Sequence, residues 1–254
     1  MRGLRSALGL LFRELLGENL LLFVAILLLS LFPGLLLLKE MVPGGGEQVA
    51  HPGVLFALDF VPLLFLLVYG TAALSRQRER GSLSLLFTRP LKREEWLAAH
   101  WLTLMGVLLF LELTLSLSAS LFLRLLFGAP WLLPLGKHLF FSLLRAGVLT
   151  SLALLLSATL SRSIASTLFL LLSLIGQLLR SGLEASASGG GFLGKVIQGL
   201  SLLLPDLSLF DRKTELLYGL PLPGEIYLST ALYALFYGGF LFFLASLLFR
   251  RREL

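Results

Sequence analysis

The residues able to do chemistry are few, and their spacing excludes most enzyme classes. The chain has no cysteine, which rules out disulfides, thiolate metal sites and cysteine nucleophiles. His51, His100 and His138 lie in different segments, and none has a second ligand three or four residues on. They form no zinc motif. No G-x-S-x-G or H-E-x-x-H motif occurs, so neither a serine hydrolase nor a zinc protease is indicated. Residues 189–195 (GGGFLGK) match the start of a phosphate-binding loop, but Val196 stands where a Ser or Thr would bind magnesium. The segment reads as a glycine linker. The chain is expected to have no catalytic residues, no metal and no bound cofactor, and not to hydrolyse ATP by itself.

Two other groups remain. Asp59, Glu112, Arg145 and Gln177 each interrupt a long apolar stretch. Polar groups in such places are rare and face partners or a water-filled cavity. By helical rise, each lies about 20–24 Å from the basic-loop end of its stretch, so the four share a level. The expectation is that Arg145 pairs with Glu112, with Asp59 as the alternative partner. That pair is either a packing device or part of a polar belt beside a pathway.

The second group is the charged stretch 75–96, SRQRERGSLSLLFTRPLKREEW, between two apolar stretches. Its basic residues are Arg76, Arg78, Arg80, Arg89, Lys92 and Arg93. Gly81 suits a helix end and Pro90 a helix start. They fence a short amphipathic run, 82–88, which predicts a helix lying crosswise to its neighbours. Leu83, Leu86 and Phe87 form its apolar face. Arg78, Glu79, Arg80, Arg89 and Arg93 form a charged rim. A short helix of this kind suits a groove on a partner. Binding of lipid head groups would explain the charge but not the fencing by glycine and proline.

The elements that must position these residues are membrane spans. Of 254 residues, 57% are hydrophobic and 14% charged, against about 45–50% and 25% in soluble domains. Mean hydropathy is +0.91. The long leucine runs lack two-residue alternation, so helices are expected and not a barrel. The predicted fold is an all-α, single-domain integral membrane protein, residues 1–254. Spans of about 20 apolar residues can be placed at 19–38, 54–74, 98–126, 139–160, 164–179 and 226–249. Residues 2–18 alternate as an amphipathic helix lying in the membrane interface. Residues 39–53 read as a glycine- and proline-rich turn, and 127–136 as a short loop. Residues 180–225 read as an outer segment that starts as a flexible tract and continues as short helices. The net charge of +6 gathers at the ends of the spans on one side, so it does not indicate nucleic acid. By the positive-inside rule that side, with both termini, is cytoplasmic, in a plasma (inner) membrane.

The loop carries a family resemblance. The run Arg78, Glu79, Arg80, Gly81, Ser82, Leu83, Leu85, Leu86, Pro90, Arg93 resembles the R-E-R-G-[ST]-L-x-L-L-x-x-x-P-x-x-R cytoplasmic loop of type-2 ABC transporter permeases. The group containing the nitrous oxide reductase maturation permease is similar. The segment LLPDLSLFDRKTELLYGLPLP and the ending at 249–254 are similar too. Where that family often has Gly-Lys, this chain has Ala99-His100, so that lysine's role is not carried over. The resemblance implies an exporter-type permease subunit with a coupling helix, a separate ABC ATPase subunit that binds the ATP, and a second permease copy or paralogue. Residues Arg78–Leu83, Leu85–Phe87, Arg89, Pro90 and Arg93 would make the ATPase contact, with membrane lipids around the spans. The other reading is a non-transporting membrane scaffold or assembly factor, which would need no ATPase.

Overall fold

A computed structural model describes residues 8–13, 46–79, 93–128, 131–187 and 204–251, and the isolated positions 26, 33, 34, 36, 37 and 40. All regular structure among them is helical. The elements are α1 (Gly46–Phe65), a π-helical turn (Leu66–Gly70) and α2 (Ser75–Glu79). They continue with α3 (Arg93–Phe127), α4 (Leu132–Thr159) and α5 (Arg162–Ala187). A 3-10 turn (Leu207–Phe210), α6 (Lys213–Leu217) and α7 (Gly224–Arg251) complete them.

Four helical stretches are long and apolar enough to cross a membrane: Val49–Gln77, α3, α4 and Gly224–Arg250. Arg162–Leu178 in α5 is a shorter apolar helix. The described residues therefore support four spans rather than six. The expected first span lies outside them except at isolated positions.

Helix α4 is the centre. It packs against α1, the π-helical turn, α3, α5, the 3-10 turn, α6 and α7. Two-thirds of its apolar window (67%) is buried inside the protein, against 28% for α7. The sequence of α4 explains this, because one turn after another carries small residues. Ala146, Ser151, Ala153, Ser157 and Ala158 are all buried. Small residues let helix backbones approach closely, which is how apolar helices associate where lipid is as apolar as they are. Hydroxyls in these helices bond back to carbonyls a turn earlier, as Thr103 does to Ala99 (2.7 Å) and Thr150 to Ala146 (2.7 Å). These two hydroxyls thus enter the core with their donors met.

Several helix limits differ from the expectation. The region 39–53, read as a turn, is helical from Gly46, through Pro52. Buried Ala50, Val54, Leu55 and Leu58 pack with Leu115, Ala119, Leu123 and Leu135, and His51 stacks on Trp131 at 3.8 Å. Tertiary packing outweighs the glycine and proline signals there. Likewise α4 begins at Leu132, inside the expected loop 127–136. Pro134 falls in its first turn, where a missing N–H costs nothing. Gly128, at φ 73°, closes α3 instead. Helix α5 runs on to Ala187, through part of the tract expected to be flexible.

The segment 8–13 is helical, with Leu11 buried in the main core. The ring of Phe12 would lie 3.6 Å from a Cβ at Gly106. The remainder of the predicted interfacial helix lies outside the described residues.

Candidate functional site

Two constellations occupy different levels of the long helices. The first is an ion cluster that reaches from the middle of α4, at Arg145, toward the side where α3 finishes and α4 begins. Asp59 of α1 is its hub. Arg145 Nη1 of α4 lies 3.2 Å from Asp59 Oδ1, and Lys213 Nζ of α6 bonds Asp59 Oδ2. His138 Nε2 is 3.6 Å from Oδ1, too far for a hydrogen bond. Lys213 Nζ also stands 3.6 Å from Asp211 Oδ2. Arg145 and His138 are each only 5% exposed. Two turns of α4 place His138, Ser142 and Arg145 on one face, at i, i+4 and i+7.

Glu112 of α3 takes a different partner from the expected one. It is 1% exposed, and Ser142 Oγ donates to its Oε1 at 2.8 Å. Arg145 turns away to Asp59. The predicted Glu112–Arg145 ion pair is thus replaced by the alternative, Asp59–Arg145. The reason is geometric. Level alone could not choose between two carboxylates at one depth, and helix rotation places Asp59 under the guanidinium. Gln177 of α5 is exposed and stays outside the cluster, so three of the four expected polar residues converge.

Lys213, His138 and Ser142 were missed by sequence reasoning. Lys213 belongs to a segment with no span signal. The i, i+4, i+7 spacing from His138 to Arg145 was available in the sequence as a hint of one polar face. Among the described residues no group of three or more His, Cys, Asp or Glu side chains could hold a metal ion.

The second constellation is the base of the charged loop. Residues 80–92, including all of the predicted coupling helix 82–88, lie outside the described residues. Arg78 and Glu79 end α2, and Arg93 begins α3. Trp96 Nε1 donates to Gln77 Oε1 at 3.1 Å, joining the two flanks of the loop. Both side chains are buried. Arg93 Nη1 donates to the Arg250 carbonyl at 3.1 Å, and Glu94 lies 3.5 Å from Arg250 Nη1, so the loop is tied to α7 as well. His100 is a core residue whose Nδ1 donates to the Trp96 carbonyl (3.0 Å).

Just before the loop, the first spanning stretch is broken. The π-helical turn at Leu66–Gly70 is followed by a turn at Thr71 to Leu74. The freed backbone donors of Leu74 and Ser75 both bond Ser157 Oγ, at 2.9 and 3.2 Å. Thr71 and Ser166 share a hydroxyl hydrogen bond of 2.9 Å. A break inside a membrane helix survives only where neighbouring groups satisfy the backbone; Ser157 of α4 does so here, and Thr71 Oγ1 itself donates to the Leu67 carbonyl.

Together these features define, among the described residues, an all-α bundle with four helices long and apolar enough to cross a membrane, a buried ion cluster within it and a braced loop base at one end. No family model matches the chain, and no curated protein matches it.

Proposed function

We propose that this protein is the transmembrane permease subunit of an ABC transporter, working as an ATP-driven exporter with a separately encoded ATPase. The observation that carries the reading is the loop sequence from Arg78 to Arg93, whose fenced apolar run resembles a coupling helix. The bracing of its base supports it. A coupling helix transmits force only if its ends cannot slide. Gln77–Trp96, Arg93 and Glu94 with Arg250, and the Ser157 contacts provide four such restraints.

On this reading the chain has six spans, including residues 19–38 and α5, with both termini and the loop in the cytoplasm. Two permeases pair, each seating one coupling helix on an ATPase. ATP closes the ATPase pair, and the movement of the coupling helices rocks the bundles. The π-helical break below the loop is where the second of these spans, Val49–Gln77, would bend, because π-bulges are common kink points. The ATP chemistry belongs to the partner subunit.

The test is Leu86→Asp. An unpaired carboxylate in an apolar groove costs several kcal/mol. The variant should insert normally yet lose co-purification with an ATPase. Normal ATPase binding by Leu86→Asp would refute the coupling assignment. Membrane insertion with no ATPase partner in any variant would favour the scaffold reading.

A further inference from the structure

Residues 204–223 form a cap on the bundle with two unequal halves. The 3-10 half is anchored three ways. Leu207 and Phe210 are buried in the main core. The carbonyl oxygen of Pro205 lies so close to Gly176 of α5 that a Cβ there would be 2.7 Å away. The Asp206 N–H donates to Tyr233 Oη of α7 at 2.7 Å. The α6 half has less. It rests on α1 and α4 through one buried side chain, Leu216, partly buried Leu217, and the Lys213–Asp59 ion pair.

We infer that Lys213 is a latch that seats the α6 half of the cap on Asp59 and whose release lets α6 lift while the 3-10 half stays in place. The arrangement goes beyond the transporter reading and does not rest on it.

Three features make this contact a latch rather than a structural strut. First, both ions are satisfied when it opens. Asp59 keeps Arg145 at 3.2 Å, and Lys213 keeps Asp211, its neighbour on the cap, at 3.6 Å. Opening therefore strands no unpaired charge, which is the usual reason that buried pairs do not break. Second, the exposure is asymmetric. The Lys213 side chain is 25% exposed and Asp59 10%, so water can reach the lysine while the carboxylate stays in the bundle. Third, the remaining α6 contacts are few, and segments with few buried apolar contacts are those that open locally.

The chain's lack of cysteine makes the test clean. Single cysteines are placed at Leu216 on α6, at Leu207 on the 3-10 half and at Ala153 in α4, each 6% exposed or less. Labelling by a polar thiol reagent is followed in membranes opened on both faces. Adding Lys213→Met should speed labelling at Leu216→Cys about two- to fivefold, the effect of losing one partly exposed ion pair on a local opening equilibrium. Rates at Leu207→Cys and Ala153→Cys should not change. Lys213→Arg should keep Leu216→Cys slow. Unchanged labelling at Leu216→Cys would overturn the latch. Acceleration at all three positions would also overturn it, by showing that the lysine braces the whole bundle.

Discussion

Asp59→Asn probes the hub of the ion cluster. The substitution keeps the side-chain volume and removes the charge. Arg145, 6% exposed at its side chain and paired to Asp59 at 3.2 Å, is left facing a neutral amide. Removing one partner of a buried pair costs about 3–5 kcal/mol, because the other charge remains desolvated. Lys213 adds less than about 1 kcal/mol, because a partly exposed cation can turn to water. The expected loss is thus about 3–5 kcal/mol. At about 2–4 °C per kcal/mol for a chain of this size, the melting temperature falls by about 6–20 °C. Glu112→Gln is the comparison. Its side-chain oxygen can still accept from Ser142, so the cost stays below about 1 kcal/mol. The assay is thermal unfolding in detergent, with Arg145→Met added to each variant. In the Asp59→Asn background Arg145→Met should recover part of the loss, because it removes the stranded charge. Additive losses for Asp59 and Arg145, or a Glu112→Gln variant as unstable as Asp59→Asn, would refute the pairing.

Two further predictions concern the break and the cap. Ser157→Ala orphans the N–H groups of Leu74 and Ser75, at about 1–3 kcal/mol for each buried donor. Hydrogen exchange at those two amides should rise well before exchange in the middle of α4, and uniform exchange along both would count against a local break. Gly176→Leu places a side chain where even a Cβ meets the Pro205 carbonyl at 2.7 Å. Overpacking of this kind costs about 1–3 kcal/mol. It should lift the 3-10 half, so that a cysteine at Leu207 labels faster, while Gly239→Leu, with nothing within 4 Å of its Cβ, leaves the rate unchanged.

The membrane class was legible in the sequence, because the cost of exposing backbone polar groups to lipid forces long apolar runs into helices. The level of the buried polar residues was legible too, since helical rise converts position into depth. Asp59, Glu112 and Arg145 do converge. The sequence could not say which carboxylate takes the arginine. That depends on the rotation of α1 and α3 about their axes, which only side-chain packing sets. Gln177 shows the same limit: it shares the level of the others but sits on the outward face of α5. Lys213 lies far beyond Arg145 in the chain, and nothing local marks it as a partner. It joins because the 3-10 half of the cap, seated on Gly176, carries α6 onto the bundle. The helix start at Leu132, where Leu135 and Trp131 pack against the α1 cluster, was likewise decided by tertiary contacts. Local turn propensities are worth about 1–3 kcal/mol for a glycine or proline, and burial of a few large apolar side chains, at about 1.5–3 kcal/mol each, exceeds them.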